Sequence, residues 1–128
     1  MSSNSETKAQ KYLREAYGDS AYIKKIPDFK QTGSMIGGMP DYLVVYKSKT
    51  YWYEVKQVTN RRKSIGMDDF TPQQLIEFRK LLKAGAKVII LIYNDNDLYI
   101  ADFKDLYYMF AVNKSVKILE LGQFIIKV

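Results

Sequence analysis

The stretch that decides the fold runs from Gly38 to Lys56 and reads GMPDYLVVYKSKTYWYEVK. Within it, residues 41–46 and 51–56 are dense in β-branched and aromatic side chains, and the polar residues 47–50 lie between them. Two such runs around a short polar connection predict a β-hairpin.

The predicted hairpin places charged side chains on one face. Because side chains alternate along a strand, Glu54 and Lys56 share a face and Val55 points to the other. A hairpin that closes symmetrically about residues 47–50 sets Asp41 opposite Lys56 and diagonal to Glu54, with Cβ atoms about 7–8 Å apart. Two carboxylates at that separation, with a carbonyl and waters, suit Mg²⁺. The alternative is a solvated strand face with cross-strand ion pairs.

The composition narrows the chemistry that this chain can perform. Its 128 residues include no histidine and no cysteine. Disulfides, thiolate nucleophiles, Ser-His-Asp chemistry and metals held by His or Cys are therefore excluded. Catalysis must use carboxylates, lysine, hydroxyls or a hard metal held by oxygen. The formal net charge of +6 favours a polyanionic partner.

The rest of the pattern predicts one domain, residues 1–128, of helices and strands. Thr71, Pro72 and Gln74 form the clearest helix start, since they combine an N-cap, a first-turn proline and a capping-box residue. The predicted elements are a helix over 6–17, a strand over 22–26, the two hairpin strands, a polar loop over 57–70, a helix from 72 to 84, strands over 87–93 and 98–103, a helix over 104–112, and one or two short strands within 116–128. The main order, α-β-β-β-α-β-β-α, indicates a mixed α/β layer fold.

Two motifs carry a resemblance to known nucleases. Gly38-Met-Pro-Asp41 followed by Glu54-Val-Lys56 resembles the motif of the PD-(D/E)XK nuclease superfamily. The segment Phe70-Thr-Pro-Gln-Gln-Leu-Ile76 resembles the Holliday-junction resolvases, of archaeal or RecU type, and the VRR-NUC branch. The resemblance implies a restriction-endonuclease-like core, in which helices flank a central mixed β-sheet. It also implies a structure-selective DNA endonuclease, in the first place a Holliday-junction resolvase, that depends on Mg²⁺ and accepts Mn²⁺.

The same resemblance implies roles for individual residues. Asp41 and Glu54 would be metal ligands, assisted by the backbone carbonyl of Val55, and Lys56 would be the catalytic lysine. A glutamate of the first helix would lie near the metal, directly or through water. A glutamine at the start of the helix after the hairpin would face the active site.

Two of these roles each have two candidates. Glu6 lies within about 20° of the apolar stripe of the first helix, and Glu15 lies about 180° from Glu6. Glu6 is therefore preferred, although a glutamate in a first turn also compensates the helix dipole. Gln74 is preferred over Gln73 because it shares the face of Phe78, although a simple capping-box role explains it equally well.

Candidate DNA contacts come from three segments. Thr32 and Ser34 belong to a loop before Asp41, where resolvases of the archaeal type carry a short Gly/Ser segment. Basic residues flank this loop or follow the strand of Lys56, where they would contact phosphates or simply solubilise a loop. These basic candidates are Lys24, Lys25, Lys30, Arg61, Arg62 and Lys63.

The expected partner is branched or duplex DNA. A homodimer is expected, because a symmetric junction needs two opposed cuts and this chain supplies one active site. No signal peptide or bilayer-spanning run is visible, so an intracellular, cytoplasmic location is expected. The alternatives are a flap or other DNA nuclease of the same fold and a non-catalytic DNA-binding module.

Overall fold

The computed structural model describes residues 4–27, 37–58, 64–94, 97–113, 115–118 and 125–127, with only the backbone of residues 4–6, 116 and 125–127. Three α-helices and eight strands lie within these ranges. In chain order they are α1 (Asn4–Tyr17), β1 (Tyr22–Lys25), β2 (Tyr42–Tyr46), β3 (Lys49–Val58), β4 (Ser64–Gly66), α2 (Pro72–Lys83), β5 (Lys87–Asn94), β6 (Asp97–Asp102), α3 (Phe103–Val112), β7 (Ser115–Lys117) and β8 (Ile125–Lys127). Single turns of 3₁₀-helix cover Gly18–Ser20 and Met67–Asp69.

A mixed six-stranded sheet forms the centre of the described chain. Its strand order is β1-β2-β3-β5-β6-β8. Strands β3 and β5 run parallel, as expected of a crossover through α2, and the other neighbours run antiparallel. The predicted mixed α/β class and the order of the main elements are confirmed. The predicted loop over 57–70 is wrong in part, because β3 continues to Val58 and β4 pairs with β7.

Helices cover both faces of this sheet. On one face, Ala9 and Leu13 of α1 are fully buried against Tyr42, Tyr53 and Leu91. On the other face, α2 and α3 bury a second cluster over β3, β5 and β6. Its fully buried members include Phe78, Ile90, Ile92, Phe103 and Leu106. Each such side chain contributes about 1.5–3 kcal/mol through its removal from water, so the two clusters hold the layers together.

The turn between β2 and β3 is tighter than the pattern predicted. Lys47 and Ser48 form a two-residue connection with positive φ angles of 50° and 65°. Positive φ at both central residues is typical of a type I′ turn, whose twist matches that of paired strands. Tyr46 therefore pairs with Lys49. The prediction of a hairpin that closes symmetrically about residues 47–50 is wrong.

The true register changes which residues face the first carboxylate. Tyr42 pairs with Tyr53, so each residue of β2 lies opposite a position two residues earlier in β3 than predicted. Because the shift is even, every side chain keeps its face. The register continued by one residue sets Asp41 opposite Glu54, and not opposite Lys56 as predicted.

The start of α2 follows the predicted chemistry. Thr71 is the N-cap, Pro72 opens the helix, and Thr71 and Gln74 form a reciprocal capping box. The helix ends before Gly85, whose φ of 94° suits a residue without a Cβ atom. No helix of the described residues is long and apolar enough to cross a membrane.

Candidate active site

Two carboxylates meet where β2 begins beside the middle of β3. Backbone and side chain fix Asp41 on both sides: its carbonyl accepts the Ile26 N–H at 2.7 Å and its Oδ2 accepts the Val55 N–H at 2.8 Å. Glu54 is only 3% exposed. Asp41, immediately before β2, and Glu54 on β3 therefore lie on one sheet face, as predicted.

Lys56 lies beside the second carboxylate. Its Nζ is 3.4 Å from Glu54 Oε2 and donates a hydrogen bond of 2.7 Å to Gln74 Oε1. The Nζ also lies 4.8 Å from the centre of the Phe70 ring, in cation–π contact. The ammonium group is therefore held by three neighbours from β3, α2 and the segment before α2.

Gln74 connects the N-terminus of α2 to this site. Its Nε2 donates to Glu54 Oε2 at 2.9 Å, and its Oε1 accepts from both Lys56 Nζ and the Thr71 N–H, the latter at 3.0 Å. The Thr71 Oγ1 accepts the Gln74 N–H at 3.1 Å. Gln74 therefore caps α2 and at the same time contacts Glu54 and Lys56, so the cap and the position facing these residues, which the sequence left as alternatives, occur together. Gln73, the other candidate, is exposed.

Burial raises the pKa of both carboxyl groups. Removal from water is the largest cause of a rise in the pKa of Glu54 to about 8, and the charge of Asp41 adds to it. Lys56 acts in the opposite direction. Burial also raises the pKa of Asp41, against the Val55 N–H hydrogen bond and the Lys56 charge. The pair therefore resists full ionisation near neutral pH unless further positive charge is present.

The donor atoms of this pair fit a hard cation. Glu54 Oε1 is buried and has no hydrogen-bond partner among the described residues. Because an extended strand directs the N–H and C=O of a residue to the same side, the Val55 carbonyl lies towards Asp41. The described residues contain no group of three or more acidic side chains that could hold a metal ion. Mg²⁺ needs no such cluster, since one or two carboxylates and several waters commonly hold it.

The two glutamates proposed for the first helix have different positions. Glu15 has a side chain that is 69% exposed and lies 4.0 Å from Lys11 Nζ, which makes it a surface residue. Glu6 lies in α1, three residues before the buried Ala9. The Glu6 side chain lies outside the described residues, so its role as a ligand remains a prediction.

Two residues at the site had no role in the sequence analysis. Gly38 has a φ of 85°, and a Cβ on it would lie 2.5 Å from the backbone carbonyl of Gln73. The segment that leads to Asp41 therefore packs directly on the start of α2, and only glycine permits this. Its signal was the Gly37-Gly38 pair before Pro-Asp. Phe70, under Lys56, gave no signal beyond its place in the nuclease-like motif.

The structure describes two of the eight residues that were predicted to contact DNA. Lys24 and Lys25 are exposed on β1, and as consecutive strand residues they project to opposite faces. Lys24 pairs with Leu43, so its side chain shares the sheet face of Glu54 and Lys56. Six further candidates lie outside the described residues: Lys30, Thr32, Ser34, Arg61, Arg62 and Lys63.

The chain is similar in structure to a known protein, although its sequence matches no family model. No family model matches this chain, and no curated protein matches it significantly. Among solved structures, the chain is similar to Hjc of Archaeoglobus fulgidus, a Holliday junction resolvase from an archaeal hyperthermophile. The similarity has a TM-score of 0.46 at 16% sequence identity, and it covers 74% of this chain and 75% of that one.

Proposed function

We propose that this protein is a metal-dependent endonuclease that hydrolyses phosphodiester bonds in DNA. The observation that carries the proposal is the pair of facing carboxylates, Asp41 and Glu54, with the Lys56 ammonium 3.4 Å from Glu54 and a buried Glu54 oxygen that has no hydrogen-bond partner among the described residues. Oxygen ligands and a lysine are a set that can serve hydrolysis without histidine or cysteine. The positive net charge of the chain suits a polyanionic substrate.

In this proposal Asp41 and Glu54 hold the cation, with the Val55 carbonyl as a third oxygen. When bound, Mg²⁺ supplies charge that offsets the scissile phosphate and acidifies water. Lys56 has three N–H donors, and its contacts with Gln74 and Glu54 fix the direction of the remaining one. That donor orients the attacking water or contacts the phosphate. Gln74 holds Lys56 and Glu54 in position, and Glu6 is proposed as a further ligand through water.

The experiment is cleavage of a labelled four-way junction with Mg²⁺. We expect Asp41→Ala and Lys56→Ala to lower the rate at least about 100-fold, the lower end of the contribution of a positioned acid or base. Lys11→Ala, a surface lysine on α1 with a side chain that is 75% exposed, is the control and should cleave like the wild type. Wild-type rates in Asp41→Ala or Lys56→Ala would refute the assignment of the site.

The choice of branched DNA rests on the resemblance of the sequence motifs to junction resolvases. A panel of junction, flap, nicked and linear duplex DNA tests this choice, since a resolvase prefers the junction and a flap nuclease does not. Mn²⁺ should replace Mg²⁺, because both accept oxygen ligands.

We further propose that the active form on a junction is a homodimer. One chain supplies one active site, and a symmetric junction requires two opposed cuts. Light scattering of the protein bound to junction DNA measures the stoichiometry directly. Two protomers on each junction are expected, and one protomer would contradict the proposal.

A further inference from the structure

Among the described residues, no helix covers the sheet face of the candidate site over its first two strands. The helices α2 and α3 cover this face over β3, β5 and β6, where the second buried cluster lies. Over β1 and β2 the same face presents four side chains, which together are termed the open face: Tyr22, Lys24, Leu43 and Val45. Tyr22 is 59% exposed and Val45 37% exposed, so two apolar side chains remain in water.

The open face is continuous with the candidate site. Lys24 pairs with Leu43, which pairs with Trp52, two residues before Glu54 on β3. Tyr22 pairs with Val45 one further row along the same strands. Val45, the partner of Tyr22, lies four residues after Asp41 on the neighbouring strand. At about 3.3 Å per residue, Tyr22 therefore lies about 13 Å along the strands from the two carboxylates. A substrate that is bound at the carboxylates and follows the sheet reaches Tyr22 without leaving this face.

The charge around the open face favours a polyanion. On the open face itself Lys24 is exposed two residues from Tyr22, and Lys47 lies in the turn that ends β2. Residues 22–25 and 42–50 contain no acidic residue, and their other lysines, Lys25 and Lys49, lie on the opposite face. Lysines on an edge strand such as β1 also oppose the pairing of that edge with the edge of a second copy. An exposed aromatic ring beside a lysine is a combination with which proteins bind unpaired nucleotides, because the ring stacks on a base and the ammonium group contacts a phosphate.

We propose that the open face binds unpaired nucleotides of the DNA substrate next to the scissile phosphate. The ring of Tyr22 stacks on a base, Lys24 contacts the backbone, and Leu43 and Val45 provide the apolar floor. This inference rests on the proposed function for the identity of the substrate. It adds that the protein recognises a single-stranded element, such as the strand of a flap or the nucleotides of a junction whose central base pairs have opened.

The test is a binding measurement in EDTA, where no cleavage occurs. Fluorescence anisotropy would follow a labelled oligothymidylate of about 12 nucleotides and a fully paired duplex. Tyr22→Ala should weaken binding of the single strand by about 5- to 150-fold, the range for loss of one stacked base, and weaken the duplex less. Tyr22→Phe should keep wild-type affinity, because stacking needs the ring and not the hydroxyl. Tyr108→Ala is the matched control, since Tyr108 is 72% exposed on α3.

The outcomes separate this inference from the proposed function. Equal affinities of Tyr22→Ala and Tyr108→Ala for the single strand, or a wild type that does not bind it, would overturn the inference. So would a change from dimer to monomer in Tyr22→Ala, seen by light scattering, because it would make the open face an interface between copies. A wild type that binds through Tyr22 but fails to cleave any DNA with Mg²⁺ refutes the proposed function and leaves this inference standing.

Discussion

Replacement of Glu54 by glutamine should stabilise the metal-free protein at alkaline pH. In the wild type this carboxyl is only 3% exposed and lies opposite Asp41. Burial, together with the charge of Asp41, raises the pKa of Glu54 from 4.5 to about 8. Glutamine has nearly the same shape and no charge. Its carbonyl oxygen can accept the hydrogen bond that Gln74 Nε2 now gives to Glu54 Oε2 at 2.9 Å. The substitution therefore removes the buried charge with little change in packing.

The size and sign of the effect follow from linkage. Because the pKa of Glu54 is higher in the folded protein than in the unfolded chain, the fold holds this proton more tightly. The free energy of unfolding of the wild type therefore falls as pH rises from 4.5 to about 8 and then levels off. At about 1.4 kcal/mol for each pKa unit, the full loss is at most about 5 kcal/mol. Glu54→Gln should lack this loss and exceed the wild type by about 2–5 kcal/mol at pH 8.

The assay is urea unfolding in EDTA at several values between pH 5 and pH 8, with the difference between variant and wild type plotted against pH. Glu15→Gln serves as the control. Its carboxylate is 69% exposed, so its substitution should change stability by less than about 1 kcal/mol at every pH. A Glu54→Gln protein that is less stable than the wild type at pH 8, or a difference that does not grow with pH, would refute the reasoning.

Two further predictions concern the start of α2. Gly38→Ala should lower the free energy of unfolding by more than about 2 kcal/mol. A Cβ at this position would lie 2.5 Å from the backbone of Gln73, and the positive φ adds strain. Gly18 is the control, because it has a φ of 64° and open space around it, so Gly18→Ala should lose only the strain of about 1–2 kcal/mol. Equal losses of stability in the two variants, measured by thermal unfolding, would contradict the close packing of Gly38 on α2. Thr71→Ala should lose about 1 kcal/mol and lower the cleavage rate, because the capping bond to the Gln74 N–H disappears. Thr71→Ser should have the stability and the cleavage rate of the wild type. An unchanged cleavage rate in Thr71→Ala would show that the cap does not position the site.

Local signals in the sequence predicted most of the fold. The start of α2 could be read from three residues, because capping chemistry is complete within one turn. The register of the hairpin could not be read. Lys47 and Ser48 adopt the positive φ angles of a tight turn without the Asn or Gly that usually indicates one. Strands β4, β7 and β8 are three residues long and depend on distant partners, so no local pattern indicates their pairing.

For the candidate site, the sequence likewise predicted which residues share a face but not how their side chains are oriented. Alternation along a strand was enough to put Glu54 and Lys56 on one face, and the two-residue error in register left Asp41 on that face. The orientation of the Gln74 amide was not predictable, since it depends on a backbone N–H of α2 and on two side chains of β3. The raised pKa of Glu54 likewise arises from burial beneath elements that are distant in sequence.

The most direct test of the central claim is the binding of Mn²⁺ to the DNA-free protein, followed by electron paramagnetic resonance as free Mn²⁺ disappears. The claim is that Asp41 and Glu54 together hold one divalent cation. It predicts saturable binding by the wild type and a loss of affinity of more than about tenfold in both Asp41→Asn and Glu54→Gln. Wild-type affinity for Mn²⁺ in either variant would contradict the claim.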